Sequence, residues 1–106
     1  MDYNLPSRRI FKSATFDGWF SKLRDRQAKA RIAARIDRLA VGNPGDVKPV
    51  GSGVSEMRID YGPGYRVYFG EDGDTIVILL CGGDKSKQAK DIDRAKAYWR
   101  EYLSHA

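Results

Sequence analysis

The sequence is poor in the residues that build covalent or metal staples. It holds one cysteine, Cys81, and one histidine, His105, among 106 residues. A lone cysteine excludes an intramolecular disulfide framework and fits a reducing compartment. One Cys and one near-terminal His also leave too few ligands for a zinc site and no partner for Cys–His nucleophilic catalysis. No carboxylates cluster at a spacing that holds magnesium, so the expectation is neither metal nor cofactor. Apolar runs are short: none approaches the ~18 residues that span a bilayer, and no apolar segment of signal-peptide type opens the chain. The expected setting is the cytoplasm, away from membranes. Internal repeats, low-complexity tracts and linkers are missing too, and the length fits one domain over residues 1–106.

What is present is enough for a core and strongly basic. Hydrophobic residues make up 42% and charged residues 31%, a balance that folds and stays soluble. The formal net charge is +5, unevenly spread. Residues 8–38 carry ten bases against three acids, and residues 85–106 six against three, while residues 39–84 carry three bases against seven acids. Such cationic ends suit a polyanion or an acidic protein partner, although solvated helix faces have the same composition.

Periodicity divides the chain in two. Residues 8–13 read as a short strand. Thr15 reads as a helix N-cap with Asp17 in the first turn. Phe16, Trp19, Phe20 and Leu23 then make one helical stripe, and Ala28, Ile32, Ile36 and Leu39 a second. Arg24–Gln27 lies between them, which predicts two helices or one kinked helix. Gly42-Asn43-Pro44-Gly45 ends the helical half. Beyond it, Val47–Val50 is extended and Gly51-Ser52-Gly53 turns. Residues 54–60 and 65–69 alternate around the Gly62-Pro63-Gly64 turn. Asp72-Gly73 marks a hairpin. Thr75–Cys81 is a continuous apolar run, as in a strand covered on both faces, and Gly82-Gly83 is expected to end it. Asp84 or Ser86 caps a last helix with Ile92, Ala95, Trp99, Tyr102 and Leu103 on one stripe. The expected class is α+β, with an antiparallel sheet, two N-terminal helices on one face and a C-terminal helix.

The alternating hairpin has a register. Burying Met57, Ile59, Tyr61, Tyr65, Val67 and Phe69 under the helices puts Glu56, Arg58, Asp60, Arg66 and Tyr68 on the opposite face. Alternate strand residues lie about 7 Å apart, so these groups can converge on one phosphate-sized anion. Cross-strand charge pairing, Asp60 with Arg66 for example, accounts for the same pattern. Gly82-Gly83-Asp84-Lys85-Ser86 opens a helix after a buried strand, a place that favours anions, but it lacks the spacing of a phosphate loop. Lys85 would reach across the strand ends toward Arg58 and Arg66. Trp19, Trp99 and Cys81 read as core.

The order of elements, together with three segments, resembles the RelE/ParE superfamily of toxins from bacterial toxin–antitoxin modules. The segments are Gly53-Val54-Ser55-Glu56-Met57-Arg58-Ile59, Gly62-Pro63-Gly64-Tyr65-Arg66-Val67-Tyr68-Phe69 and Leu79-Leu80-Cys81-Gly82-Gly83-Asp84-Lys85-Ser86, the last followed by Gln88 and Asp91-Ile92. Within the superfamily, the chain looks like the HigB-like addiction module killer proteins related to a phage protein group. The resemblance implies a compact fold related to microbial ribonucleases. It also implies cleavage of messenger RNA at the ribosome and a cognate antitoxin, commonly a helix-turn-helix protein, through which operator DNA is bound. It puts Arg66 at the position that stabilises the scissile phosphate, and Arg58 and Lys85 at basic positions of the active surface. Glu56 stands where better-studied RelE proteins have a lysine, and is the candidate base. Lys48, Tyr68, Lys87 and Gln88 are the candidate RNA contacts. The resulting expectation is a metal-independent endoribonuclease leaving a 2′,3′-cyclic phosphate. The alternatives are a ParE-like toxin that poisons DNA gyrase by binding, or a non-catalytic phage-derived binding protein; fold alone does not separate them.

Overall fold

The computed structural model describes residues 7–105. Its strands are β1 (Arg9–Lys12), β2 (Val47–Gly51), β3 (Val54–Ile59), β4 (Tyr65–Asp72) and β5 (Ile76–Asp84). Its helices are α1 (Ala14–Lys22), α2 (Arg26–Ala40) and α3 (Gln88–Ser104), the last entered through a 3-10 turn at Lys85–Lys87. The strands form one open sheet in the order β1-β5-β4-β3-β2. The class is α+β, but the sheet is mixed rather than purely antiparallel, because β1 pairs parallel with β5. The α1–α2 excursion carries the chain from one sheet edge to the other, so β1 and β2 are the two outer strands.

Local chemistry explains the boundaries. Ser13, not Thr15, caps α1: its hydroxyl accepts the Phe16 N–H at 2.9 Å and donates to the Leu80 carbonyl at 2.7 Å. One side chain therefore starts the helix and ties it to β5. The two apolar stripes are two helices, because Asp25 caps α2 by accepting the Gln27 and Ala28 N–H groups. β5 does not end at the glycine pair but continues to Asp84, with Gly82 opposite Val67 and Gly83 opposite Arg66. Asp84 caps the 3-10 turn, accepting the Ser86 N–H; α3 itself has no side-chain cap.

The sheet separates two apolar layers. Met57, Ile59, Val67 and Phe69 are buried, as the alternation requires, and pack with Val77 and Leu79 against Phe16, Ile32, Ile36 and Leu39 of α1 and α2. Tyr61 and Tyr65 are only half-buried at the rim of this layer. On the other face α3 covers Val54, Tyr68, Leu80 and Cys81 with Ala95 and Trp99. A bulge, with Tyr68 opposite Cys81 but Phe69 opposite Leu79, turns both Leu80 and Cys81 toward α3. Burial pushes the Cys81 thiol up to about 12, so it packs as an inert apolar group. The α3 stripe departs from expectation at Leu103, which is half exposed, while Asp91 is buried.

Three glycines in the sheet exist to admit larger neighbours. A Cβ on Gly82 would lie 2.3 Å from the Trp19 ring, on Gly70 2.4 Å from the Trp99 ring, and on Gly83 2.0 Å from Asp91 Oδ2. Gly18, inside α1, meets nothing within 4 Å. Gly82→Ala and Gly70→Ala are therefore expected to destabilise by about 1–3 kcal/mol through overpacking. Gly18→Ala should stabilise by about 0.5–1 kcal/mol through helix propensity. Urea denaturation of the three variants checks both signs.

Burial raises the Asp91 carboxyl above its ordinary value. The folded state therefore holds that proton to higher pH than the unfolded chain, and stability falls as pH rises through the window between the two values. Asp91→Asn should remove this component of the slope, which thermal melts from pH 4 to pH 7 would reveal; an unchanged slope would contradict it.

Candidate active site

The site forms where β3 and β4 approach the turn that joins them. Strand pairing sets Arg58 directly opposite Arg66, an arrangement that repels unless each charge has its own counter-charge. Each does. Arg58 donates to Asp46 Oδ1 from Nη2 at 2.8 Å and from Nε at 3.3 Å. That hydrogen bond holds the Asp46 carboxyl below its usual value and lifts Arg58 above its own. Arg66 turns the other way. It donates from Nη1 to the Gly64 carbonyl at 2.8 Å, and its Nε lies 3.6 Å from Glu56 Oε2.

Glu56 is fully buried beneath α3. Its Oε2 accepts from the Tyr68 hydroxyl at 3.0 Å and from Gln88 Nε2 at 2.8 Å. Burial, and then the neighbouring Glu56 charge, push the Tyr68 hydroxyl far up, so it stays protonated and donates. Glu56 Oε1 and Arg66 Nε have no hydrogen-bond partner. Most buried polar atoms are paired, so two unpaired atoms in one charged contact are the kind of tension that marks functional sites.

The structure places two of these candidates differently from what the alternation implies. Glu56 is enclosed by Tyr68, Gln88 and Arg66 rather than open to the cleft, so its nearest cleft group is Arg66 Nε. Tyr68 is equally buried, and its hydroxyl faces Glu56 rather than the surface. The Asp60–Arg66 pair that the alternation allowed does not form; Arg66 takes Glu56 and Asp60 stays exposed.

In front of this network is a cleft of about 380 Å³, lined by Asp46, Arg58, Asp60, Gly64, Arg66 and Lys85. Gly64, at φ +82°, lets the Arg66 guanidinium and the Lys85 stem close in together: a Cβ there would meet Arg66 Nη1 at 3.2 Å and Lys85 Cβ at 3.5 Å. Arg58, Arg66 and Lys85 thus share one cleft as the sequence predicts. Lys48 does not line it; it is exposed on the edge strand β2, opposite Glu56 in register. Gln88 acts on Glu56 from behind, and Lys87 faces a different cleft. Sequence reasoning missed Asp46. Only the pairing of β2 with β3 brings it beside Arg58, and the Val-Lys-Pro-Val segment carries no alternation that would set that register. Two guanidinium groups and an ammonium over one cleft suit a phosphodiester. Among the described residues, no three His, Cys, Asp or Glu side chains gather as metal ligands.

The buried network should be costly to break from either end. Glu56→Ala leaves the Arg66 charge unpaired, an expected loss of about 3–5 kcal/mol. Tyr68→Phe removes one donor, an expected loss of about 1–3 kcal/mol. Denaturant titration measures both; a Glu56→Ala protein as stable as the parent would refute the network's structural role.

The comparisons with known proteins agree with one another in extent. The sequence profile of the family described as "Phage derived protein Gp49-like (DUF891)" matches residues 18–100, a stretch that includes every residue of the cleft. An uncharacterized protein of Haemophilus influenzae (strain ATCC 51907 / DSM 11121 / KW20 / Rd) is 55% identical over 92 residues, which cover 87% of this chain and 93% of that protein. The chain belongs to the phage-derived Gp49-like family, part of the RelE/ParE-like toxin superfamily.

Proposed function

We propose that the chain is the toxin of a toxin–antitoxin pair, HigB-like within the RelE/ParE arrangement, and that it cuts messenger RNA without a metal ion. The observation that carries this reading is the convergence of Arg58, Arg66 and Lys85 on one cleft, with Arg66 braced from behind by Glu56. RNA holds its own nucleophile, so the protein has to position the strand, move protons and stabilise the charged intermediate. The ribose 2′-oxygen bonds to the adjacent phosphorus and the P–O5′ bond breaks. The products are a 2′,3′-cyclic phosphate and a 5′-hydroxyl. Arg66 and Arg58 stabilise the equatorial oxygens of the phosphorane. Asp46 and Asp60 are the cleft's carboxylates. Asp46 is engaged by Arg58 and held acidic, which leaves Asp60 to accept the 2′-hydroxyl proton. Lys85 supplies a proton to the departing 5′-oxygen.

The basic helical surface supports the remaining partners. α1, α2 and their flanks present most of the positive excess of residues 8–38, a surface suited to ribosomal RNA or to an acidic face of the antitoxin. The antitoxin is a helix-turn-helix protein on this reading, and operator DNA is bound through it.

The test is cleavage of ribosome-programmed mRNA in the presence of EDTA, with end-group analysis of the product. Wild type should cut and leave the cyclic phosphate. Arg66→Ala should lose about 10²–10³ in rate, the usual effect of removing a preorganised donor. Arg66→Lys should also be poor, since an ammonium lacks the planar two-pronged contact. Because Arg66→Ala strips Glu56 of its counter-charge, both variants are compared by thermal melt, and Arg66→Lys keeps the charge. Full cleavage by either folded variant removes Arg66 from the mechanism. A wild type that cuts no RNA but provokes a DNA-damage response favours the gyrase-binding alternative.

A further inference from the structure

The described surface carries a second polar cleft, on the other side of the Lys85–Lys87 turn. It measures about 320 Å³ and lies between α1 and α3 over the end of β5, within the size range of small-ligand sites. Gly82 and Gly83 form its floor. Trp19 forms one wall, and Lys22, Lys87 and Arg94 stand around it. Asp91 lies at its base with a side chain only 4% exposed; Oδ2 has no hydrogen-bond partner, and Oδ1 is 3.9 Å from Arg94 Nη1. The mechanism above uses none of these groups.

The chemistry of this cleft is not that of a simple anion site. Three cations favour phosphate, but the Trp19 indole lining the cleft and a buried, unpartnered carboxyl add nothing to the binding of phosphate alone. Together they match the three parts of a nucleotide: a charged phosphate, a planar base that packs on an aromatic ring, and base-edge N–H donors that a carboxylate accepts. Asp84 also lines the cleft and offsets one of the three cations; an acidic protein segment fits less well than a nucleotide, since its carboxylates come without a planar ring for Trp19. The position is equally specific. Lys85 lines the first cleft and Lys87 the second, and in a 3-10 turn two residues advance only about 4 Å while rotating by about 240°. The Trp19 and Tyr65 rings meet edge-on at 6.3 Å close to the boundary between the clefts. One strand of RNA lying over the turn would therefore meet both clefts in succession.

We propose that the cleft between α1 and α3 is a second nucleotide subsite, holding the base and phosphate of an RNA residue next to the linkage that is cut. This rests on the nuclease reading for its RNA ligand, and its test separates the two. A fluorescent single strand of about eight 2′-O-methyl nucleotides, within the usual span of single-strand sites, cannot be cut, so binding is read apart from cleavage. Lys22→Ala and Arg94→Ala should each weaken binding about three- to tenfold and lower the log–log salt slope by about 0.7, the share of one phosphate contact on a single strand. Arg100→Ala, exposed on α3 outside the cleft, should change neither. A strand of the same length without bases should bind more weakly than the base-bearing one. Wild-type affinity and slope in both Lys22→Ala and Arg94→Ala would overturn the subsite, as would an equal loss in Arg100→Ala or equal affinity for the baseless strand. If the wild type cuts RNA and depends on Arg66 while the two variants bind normally, the subsite alone fails. If the two variants show the expected binding losses but the wild type cuts nothing, the nuclease reading alone fails.

Discussion

The arrangement depends on one carboxylate. Glu56 lies under α3 with no access to water, and every group around it faces it for a reason: Tyr68 donates from β4, Gln88 from the first turn of α3, and Arg66 presents its guanidinium from the neighbouring strand. A buried charge of this kind is tolerable only when paired and hydrogen-bonded. The consequence is that Arg66 cannot swing freely. Its guanidinium is held between Glu56 and the Gly64 carbonyl, and the directly opposed Arg58 is turned outward to Asp46. Two positive groups that would repel each other are thereby fixed side by side at the mouth of one cleft.

The fold serves this constraint through its glycines. β5 runs on past its apolar segment because Gly82 and Gly83 have no side chains to collide with Trp19 and Asp91. That extra length brings Asp84 opposite Tyr65 and delivers Lys85 beside Gly64. Ser13 joins the start of α1 to the Leu80 carbonyl, and Trp99 closes α3 over Gly70. Both helices are therefore pinned to β4 and β5, the strands that hold Arg66 and lead into Lys85. The same glycine pair that reads as a helix-opening, anion-favouring turn is a packing device within a strand.

Much of this was legible in the residues, and the gaps have definite causes. The alternation of Met57, Ile59, Val67 and Phe69 is strict because one face is buried, and it set the hairpin register without ambiguity. It also put Arg58 and Arg66 on one face, from which their convergence with Lys85 follows. The alternation says nothing about what covers the other face. α3 lies over Glu56 and Tyr68 but leaves Arg58 only half-buried, and no period in the sequence separates a covered polar position from an open one. Asp46 escaped because β2 is a short edge strand containing Pro49, with no pattern to align it on β3. The parallel β1–β5 pair escaped because a strand of four residues carries no direction of its own; only the path of α1 and α2 across the sheet decides it.

On the proposed nuclease function, the central claim is that Glu56 acts on cleavage only through Arg66, and a double-mutant cycle on mRNA cleavage tests it most directly. The rates of wild type, Glu56→Gln, Arg66→Lys and the double variant are compared, each confirmed folded. Glu56→Gln should slow cleavage when Arg66 is present and have little further effect once Arg66 has been replaced. Equal, multiplicative losses in the two backgrounds would mean that Glu56 acts independently of Arg66 and would contradict the account.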